Sequence, residues 1–303
     1  MVLVVALLAL AQDPTPNLPD LLSRLSEEAE ILQQNATKSL TVETLEQRAL
    51  MPATRFRPRF GKAATILPPP RLVVRQIISE YSVGTFKESV VQNLTELRQV
   101  ISVDGRKVQS VENARHALSL GITSPDDRVR KRMLEEFAKH GLVDIATDFG
   151  IFLLAFSKRG LQNMKFAFAG EEAVGADAAW VIDWQQTSPD GGVLEFLGNQ
   201  VAHRALQGRL LSRKSDGLPL RIQSWAQHPQ EGHMIRDEAT VDYIQSAHGF
   251  LTPASVVHRH LIDGKVITEN LYRYEPFKMF AASAEIKFTE LETPPPPPPT
   301  VKK

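Results

Sequence analysis

The chain of 303 residues contains no cysteine. That excludes disulfide frameworks, thiol nucleophiles, cysteine-ligated zinc and iron–sulfur clusters together, and it leaves the redox compartment open. Neither sign of charge is in excess. The 35 Lys and Arg balance the 35 Asp and Glu, whereas a dedicated nucleic-acid binder carries a clear basic surplus. No apolar run reaches the roughly 18 residues that mark a membrane-spanning helix. The glycine-rich phosphate cradles and the GxSxG nucleophile elbow are missing too. Asp148-Phe149-Gly150 spells the metal-binding triplet of protein kinases. It stands without a Gly-rich loop or a His-Arg-Asp loop, because His203-Arg204 is followed by Ala205, so it has no kinase context.

What the chain does have is 43% hydrophobic residues, enough for a sizeable core. A prior of about 150 residues per domain suggests two units, or one large β domain. The first eleven residues, MVLVVALLALA, hold an apolar run from Val2 to Leu10, with Ala9 and Ala11 in the small-x-small pattern before Gln12. No Lys or Arg precedes the run, but its length is that of a signal-peptide core. The expectation is an exported protein, periplasmic or secreted. With no cysteine after the cleavage point, it would not itself be a lipoprotein. At the other end, six prolines from Pro294 to Pro299 predict a polyproline rod in a solvated tail.

Behind Asn17, a candidate N-cap, the apolar residues Leu18, Leu21, Leu22, Leu25, Ala29 and Leu32 recur at helical spacing. Thr41 to Leu50 predicts a second short helix. From Met51 to Arg71 five prolines and five basic residues stand without an acid, which predicts an extended strap. Its RFRPRF stretch (55–60) reads first as a solvated strap pinned to the core by Phe56 and Phe60, and it also has the composition for contact with a membrane surface or an acidic partner. Strand signals begin at Leu72, with Asp104-Gly105 as a tight-turn pair. Between Ser110 and Gly160 the pattern turns helical. Ser124-Pro125-Asp126-Asp127 reads as a helix start and Gly141 as a stop, and FGIFLLAF (149–156) predicts a buried helix. From Leu161 onward the period is two, with nine apolar-rich segments separated by turn dipeptides such as Asp190-Gly191, Asp216-Gly217, Glu231-Gly232 and Asp263-Gly264. Short connections of this kind join antiparallel neighbours, and a long meander must curl to protect its edges.

The expected fold is therefore α+β: a large curved antiparallel sheet, an incomplete β-barrel, capped by a helical insertion and preceded by N-terminal helices. The boundaries are a signal peptide at 1–11, helices and strap at 12–70, the curved-sheet domain at 71–290 with its lid at 110–160, and a tail at 291–303. A concave sheet face under a lid encloses an apolar space. Trp180, Ile182 and Trp184 lie on one face of a single strand. Leu218, Leu220, Ile222 and Ala226 share one face of another, and Phe280 and Ile286 share one face of the last. The candidate ligand-lining residues are Trp180, Ile182, Trp184, Leu220, Ile222, Phe280 and Ile286. Whether the space is open or filled by side chains is not fixed by the sequence. His258 and His260, two apart on a strand, would face the same way and could share a metal with Glu269 or Asp242, but no HExxH signature accompanies them. No catalytic residue, resident metal or cofactor is expected.

The segments Val100-Ile101-Ser102-Val103-Asp104-Gly105-Arg106, Leu218-Pro219-Leu220-Arg221-Ile222 and Tyr272-Arg273-Tyr274…Phe277…Ala284-Glu285-Ile286-Lys287-Phe288, in this order of strands, helical insertion and meander, resemble the LolA/LolB-like group of outer-membrane lipoprotein-sorting proteins. The resemblance spans roughly residues 71–288. It implies a periplasmic incomplete barrel capped by helices, holding acyl chains in an apolar cavity, with a lipid or lipoprotein as partner. Two further readings stay open: a packed structural or interaction module of the cell envelope, and a metal-dependent hydrolase using the late histidines.

Overall fold

The computed structural model describes residues 17–52, 69–85, 94–115, 135–145, 147–188, 193–197 and 200–280. The signal segment 1–11, the RFRPRF stretch, the Ser124-Pro125 helix start, the Asp190-Gly191 turn, Ile286 and the proline-rich tail lie outside these residues. Among the described residues no helix is long and apolar enough to cross a membrane.

The chain enters through α1 (Leu18–Asn35), whose buried stripe of Leu21, Leu25, Ala29 and Leu32 follows the helical spacing of the sequence. Glu28 is buried on the flank of that stripe, where Arg24 one turn earlier pairs with it at 2.5 Å. Burial raises its pKa. A short 3₁₀ turn then leads into β1 (Ser39–Met51). The second helix expected at Thr41–Leu50 is therefore a strand. It is rich in helix formers, but tertiary pairing on both sides overrides local propensity.

From β1 the chain steps outward through β2 (Arg71–Thr85), β3 (Leu94–Val103) and β4 (Arg106–Lys107) to one edge of the sheet. It then crosses to the far edge, β5 (Met164–Val174). From there it returns through β6 (Asp177–Gln186), a separate hairpin of β7 (Val193–Leu197) and β8 (Gln200–Arg204), β9 (Gln207–Arg213), β10 (Pro219–Gln230), β11 (His233–Gln245), β12 (Leu251–Ile262) and β13 (Lys265–Tyr274). The last of these pairs with β1, and β14 (Lys278–Met279) adds to the start of β1. The result is an open antiparallel sheet of 12 strands with β1 in its middle and β4 and β5 at its edges. The expected α+β class holds, and the sheet takes one of its central strands from before residue 71.

Asp104-Gly105, Glu231-Gly232 and Asp263-Gly264 have positive φ at both positions, the two-residue hairpin geometry that those dipeptides favour. Strands β4 and β5 lie at opposite edges, and among the described residues between them, 135–145 and 147–163 form a cap on the sheet. Phe137, Leu142, Ile151, Leu153 and Phe156 share one buried cluster with α1 and the concave strand residues. In place of the helix expected at 149–156, the cap forms a 3₁₀ turn at Phe152–Phe156 and a single helical turn at Lys158–Leu161. One reason is visible at Leu153, whose N–H is bonded to the Tyr243 hydroxyl at 3.0 Å and so is lost to a helical ladder.

Candidate functional site

Strand register decides which side chains share the concave face. One row runs Val103, Ile77, Leu45, Tyr272, Val256, Val241, Ile222, Leu210, Ile182 across nine strands. All but Val103 are fully buried. The next row on the same face runs Gln47, Asn270, His258, Ala239, Ser224, Gly208, Trp184. The face is therefore divided. Its β1–β3 and β12–β13 half is rich in buried polar groups, and its β6, β9 and β10 half is mostly apolar, with Ser212 and Ser224 as small hydroxyls.

The polar half holds the cap by its backbone. Gln47 reads both groups of Val143, accepting from its N–H at 3.0 Å and donating to its carbonyl at 2.7 Å. The amide of Gln47 also donates to Asn270 at 2.6 Å, and Asn270 donates to the Asp144 carbonyl at 2.8 Å. Thr268 donates to the Asp144 carboxylate. On β3, the Glu96 carboxylate accepts the N–H groups of Asp148 and Gly150, both at 2.7 Å. In return Asp148 accepts from Thr95 Oγ1 and from the Glu96 N–H. An irregular segment lying on a sheet must satisfy its buried backbone groups with side chains, and these polar residues do so. The Asp148-Phe149-Gly150 triplet thus finds its use as a clasp. Asp148 and Gly150 bind Glu96, and Phe149 stacks on His258 with ring centroids 5.6 Å apart.

Behind the clasp lies a buried ion network. Arg98 meets Glu43 through two bonds of 2.7 Å and Glu96 at 2.8 Å, and its guanidinium lies 5.2 Å from the Tyr81 ring. Tyr81 donates to Glu96 at 3.0 Å. Burial raises the pKa of Glu96 and of Tyr81. Burial works against the charge of Arg98, but Glu43 and then Glu96 outweigh it and raise its pKa further. Sequence reading missed this network, although alternate polar residues at Thr41, Glu43 and Gln47, and at Glu96 and Arg98, carried its signal.

The apolar half contains four of the expected lining residues. Trp180, Ile182, Trp184 and Ile222 are buried in the main cluster. The cap turn covers Trp184, with Phe156 edge-on at 5.2 Å and Phe152 at 6.0 Å, while Trp180 meets Phe168 edge-on at 5.6 Å and has the Lys214 ammonium 4.2 Å from its ring centre. Trp184 Nε1 is buried and has no hydrogen-bond partner among the described residues. Leu220 is not with these four. A register shift between Pro219 and Arg221 turns it to the opposite face, where it packs with Ala179, Val181 and Leu211. Phe280 follows β14 and is exposed.

His258 and His260 do face the same way, and the carboxylate between them is Asp237. It lies 2.8 Å from His260 Nδ1 and 3.7 Å from His258 Nε2. Glu269 and Asp242 are engaged elsewhere, with Arg259 and Arg221. Among the described residues no three His, Asp or Glu side chains are placed to hold a metal. Burial lowers the pKa of His258 to about 4.

No protein-family model and no curated protein matches the chain. Among solved structures it is similar to a DUF1329 family protein from Desulfovibrio piger, at 9% identity over 91% of this chain and 98% of that one, with a TM-score of 0.40. It is similar to an outer membrane lipoprotein-sorting protein domain from Vibrio parahaemolyticus, at 9% identity over 88% and 95%, TM-score 0.36. A LolA superfamily protein from Nitrosomonas europaea matches at 9% identity over 85% and 92%, TM-score 0.30.

Proposed function

We propose that this chain is an exported, non-enzymatic binding protein that takes the acyl chain of a lipid or lipoprotein between the apolar half of its concave face and the Phe152–Phe156 turn. Trp180, Ile182, Trp184 and Ile222 form the floor. The observation that carries the reading is the Trp184 indole N–H, buried without a partner among the described residues in the middle of that floor. Buried donors are normally satisfied, and an ester or amide carbonyl at the head of an acyl chain supplies the missing acceptor. Capture is equilibrium burial, at about 0.8 kcal/mol per CH₂ removed from water. It requires the cap turn to lift while the polar clasp keeps the rest of the cap on the sheet, a population shift without chemistry.

The test uses the three tryptophans. A bromine-labelled fatty acid should quench fluorescence in the intact protein, and the quenching should fall by more than half in Trp184→Phe. Lipid extracted from the purified protein should be visible by mass spectrometry. No quenching and no co-purified lipid would remove the reading. A packed envelope module is the second reading, favoured by the five cap positions, 143, 144, 148, 150 and 153, at which sheet side chains hold the backbone. That same negative result would leave it standing.

A further inference from the structure

The convex face carries a second feature, opposite the apolar floor. A shallow cavity of about 280 Å³ runs over β5, β6, β9 and β10. Its upward-facing residues are Lys165, Gln185, Gln207 and Trp225 in one cross-strand row, and Asp183 with Arg209 in the next. Phe166, Trp184 and Gly208 form the backbone floor between them. The side chains of Phe166 and Trp184 go to the concave core.

Three properties define what fits here. Trp225 offers the ring face not covered by Arg236, whose guanidinium lies 5.2 Å from the ring centre. Gln185 and Gln207 are exposed, and neither side chain has a partner among the described residues. Each amide presents a donor and an acceptor side by side. Asp183 and Arg209 pair at 3.0 Å with both side chains 48% exposed, so their outer lone pair and N–H groups stay accessible. Together these groups match a ligand with an apolar face and a rim of hydroxyls, each hydroxyl both donating and accepting. The charges of Asp183 and Arg209 cancel, leaving Lys165 as a single cation, too little to select an anion by its field. The volume lies just below the roughly 300 Å³ at which sites for drug-sized ligands begin, which limits the ligand to one or two rings.

We infer that this convex groove is a binding site for a neutral saccharide, with Trp225 stacking on the sugar ring and Gln185, Gln207 and the Asp183–Arg209 pair bonding its hydroxyls. The site is separate from the concave floor and does not depend on acyl binding there. Cellobiose, maltose and N,N′-diacetylchitobiose are the probes, titrated into the full chain while the three indole N–H signals are followed by NMR. At least one sugar should move the Trp225 signal and leave the buried Trp180 and Trp184 signals in place. By isothermal titration calorimetry, Trp225→Ala should weaken that sugar by about tenfold or more, about 1.4 kcal/mol. Gln207→Ala, an exposed substitution that leaves the fold intact, should weaken it severalfold. The inference is overturned if all three sugars leave the Trp225 signal unmoved up to their solubility limits. It is equally overturned if Gln207→Ala binds as well as the parent, or if inorganic phosphate alone perturbs the groove. Loss of fatty-acid quenching without loss of sugar binding would bear on the acyl reading only.

Discussion

Gly150 donates its backbone N–H to the Glu96 carboxylate at 2.7 Å, joining the cap to a strand 54 positions earlier. The contact exists because position 150 has no side chain. A Cβ there would lie 2.6 Å from Glu96 Oε1, 2.9 Å from the Tyr81 hydroxyl and 3.1 Å from that of Tyr274. Glu96 and Tyr81 are buried, and the hydroxyl of half-buried Tyr274 is buried too, so none can swing away freely. Gly150→Ala should therefore cost about 1–3 kcal/mol, the range for overpacked interiors. Urea denaturation checks the loss. Protease cleavage within 137–161 should accelerate more than cleavage elsewhere, because the clasp fails before the sheet does. Unchanged stability would show that the cap does not rest on this contact.

Arg98 stands between Glu43 and Glu96 with all three side chains about 1% exposed. Removing the cation leaves two carboxylates facing each other in a dry interior. Arg98→Met should cost about 3–5 kcal/mol, as broken buried ion pairs do. Adding Glu43→Gln to that variant should recover part of the loss, because one stranded charge disappears. Denaturant midpoints for the two single variants and the double variant form the cycle. Strict additivity would mean that the pair does not interact as its geometry requires.

The divided concave face explains what was legible in the sequence. On β10 and β6 most inward positions are apolar, and Trp180, Ile182, Trp184 and Ile222 stand out by alternation alone. On β1 the inward positions are Ser39, Thr41, Glu43, Leu45, Gln47 and Ala49. Period-two hydrophobicity is absent there because these buried positions make hydrogen bonds, Gln47 to the cap backbone, Glu43 with Arg98 and Thr41 to the Glu275 carbonyl. A strand with a polar buried face and good helix formers reads as a helix. The β-bulge at Leu220 is invisible for another reason, since nothing in Leu218-Pro219-Leu220-Arg221 states which residue is extra to the ladder. The cap's crossing was legible because strands before and after it implied one sheet.

His258 gives the fold a pH dependence of known sign. Burial opposes its charge, and Asp237 only partly offsets that; His260, Asp144 and Glu238 contribute less. The folded value of about 4 lies below the ordinary 6.5, so the unfolded chain binds the proton more readily. The stabilisation is complete above pH 6.5 and is lost as the pH falls toward 4. A gap of roughly 2.5 units at 1.36 kcal/mol per unit caps the loss at about 3 kcal/mol. Glu96 acts in the opposite direction, because its raised pKa favours the folded state at low pH. Subtracting the stability profile of His258→Gln isolates the histidine. The difference should be level above pH 6.5 and fall below it, and a difference independent of pH would sink the prediction. Phe149 from the cap covers the His258 ring, so lifting the cap would give the charged ring access to water, and acid should expose the cap first.

Gly208 gives the sharpest contrast among the glycines. A Cβ there would run into the Gln223 carbonyl on β10 and come within 2.8 Å of Trp184 Cζ2. The first obstacle is backbone in a paired ladder, so it yields only if β9 and β10 separate. The second is the ring that floors the proposed acyl site. Gly232 lies in the β10–β11 turn with nothing within 4 Å of an added Cβ, and its cost is limited to holding an alanine at φ +83. Gly232→Ala should then lose about 1–2 kcal/mol, the penalty of a left-handed backbone. Gly208→Ala should lose more and should also shift Trp184 fluorescence, which Gly232→Ala should leave alone. Thermal melts with emission spectra on both variants separate the two effects. Equal losses with unchanged emission would mean that the ring and the ladder do not meet at Gly208 in solution.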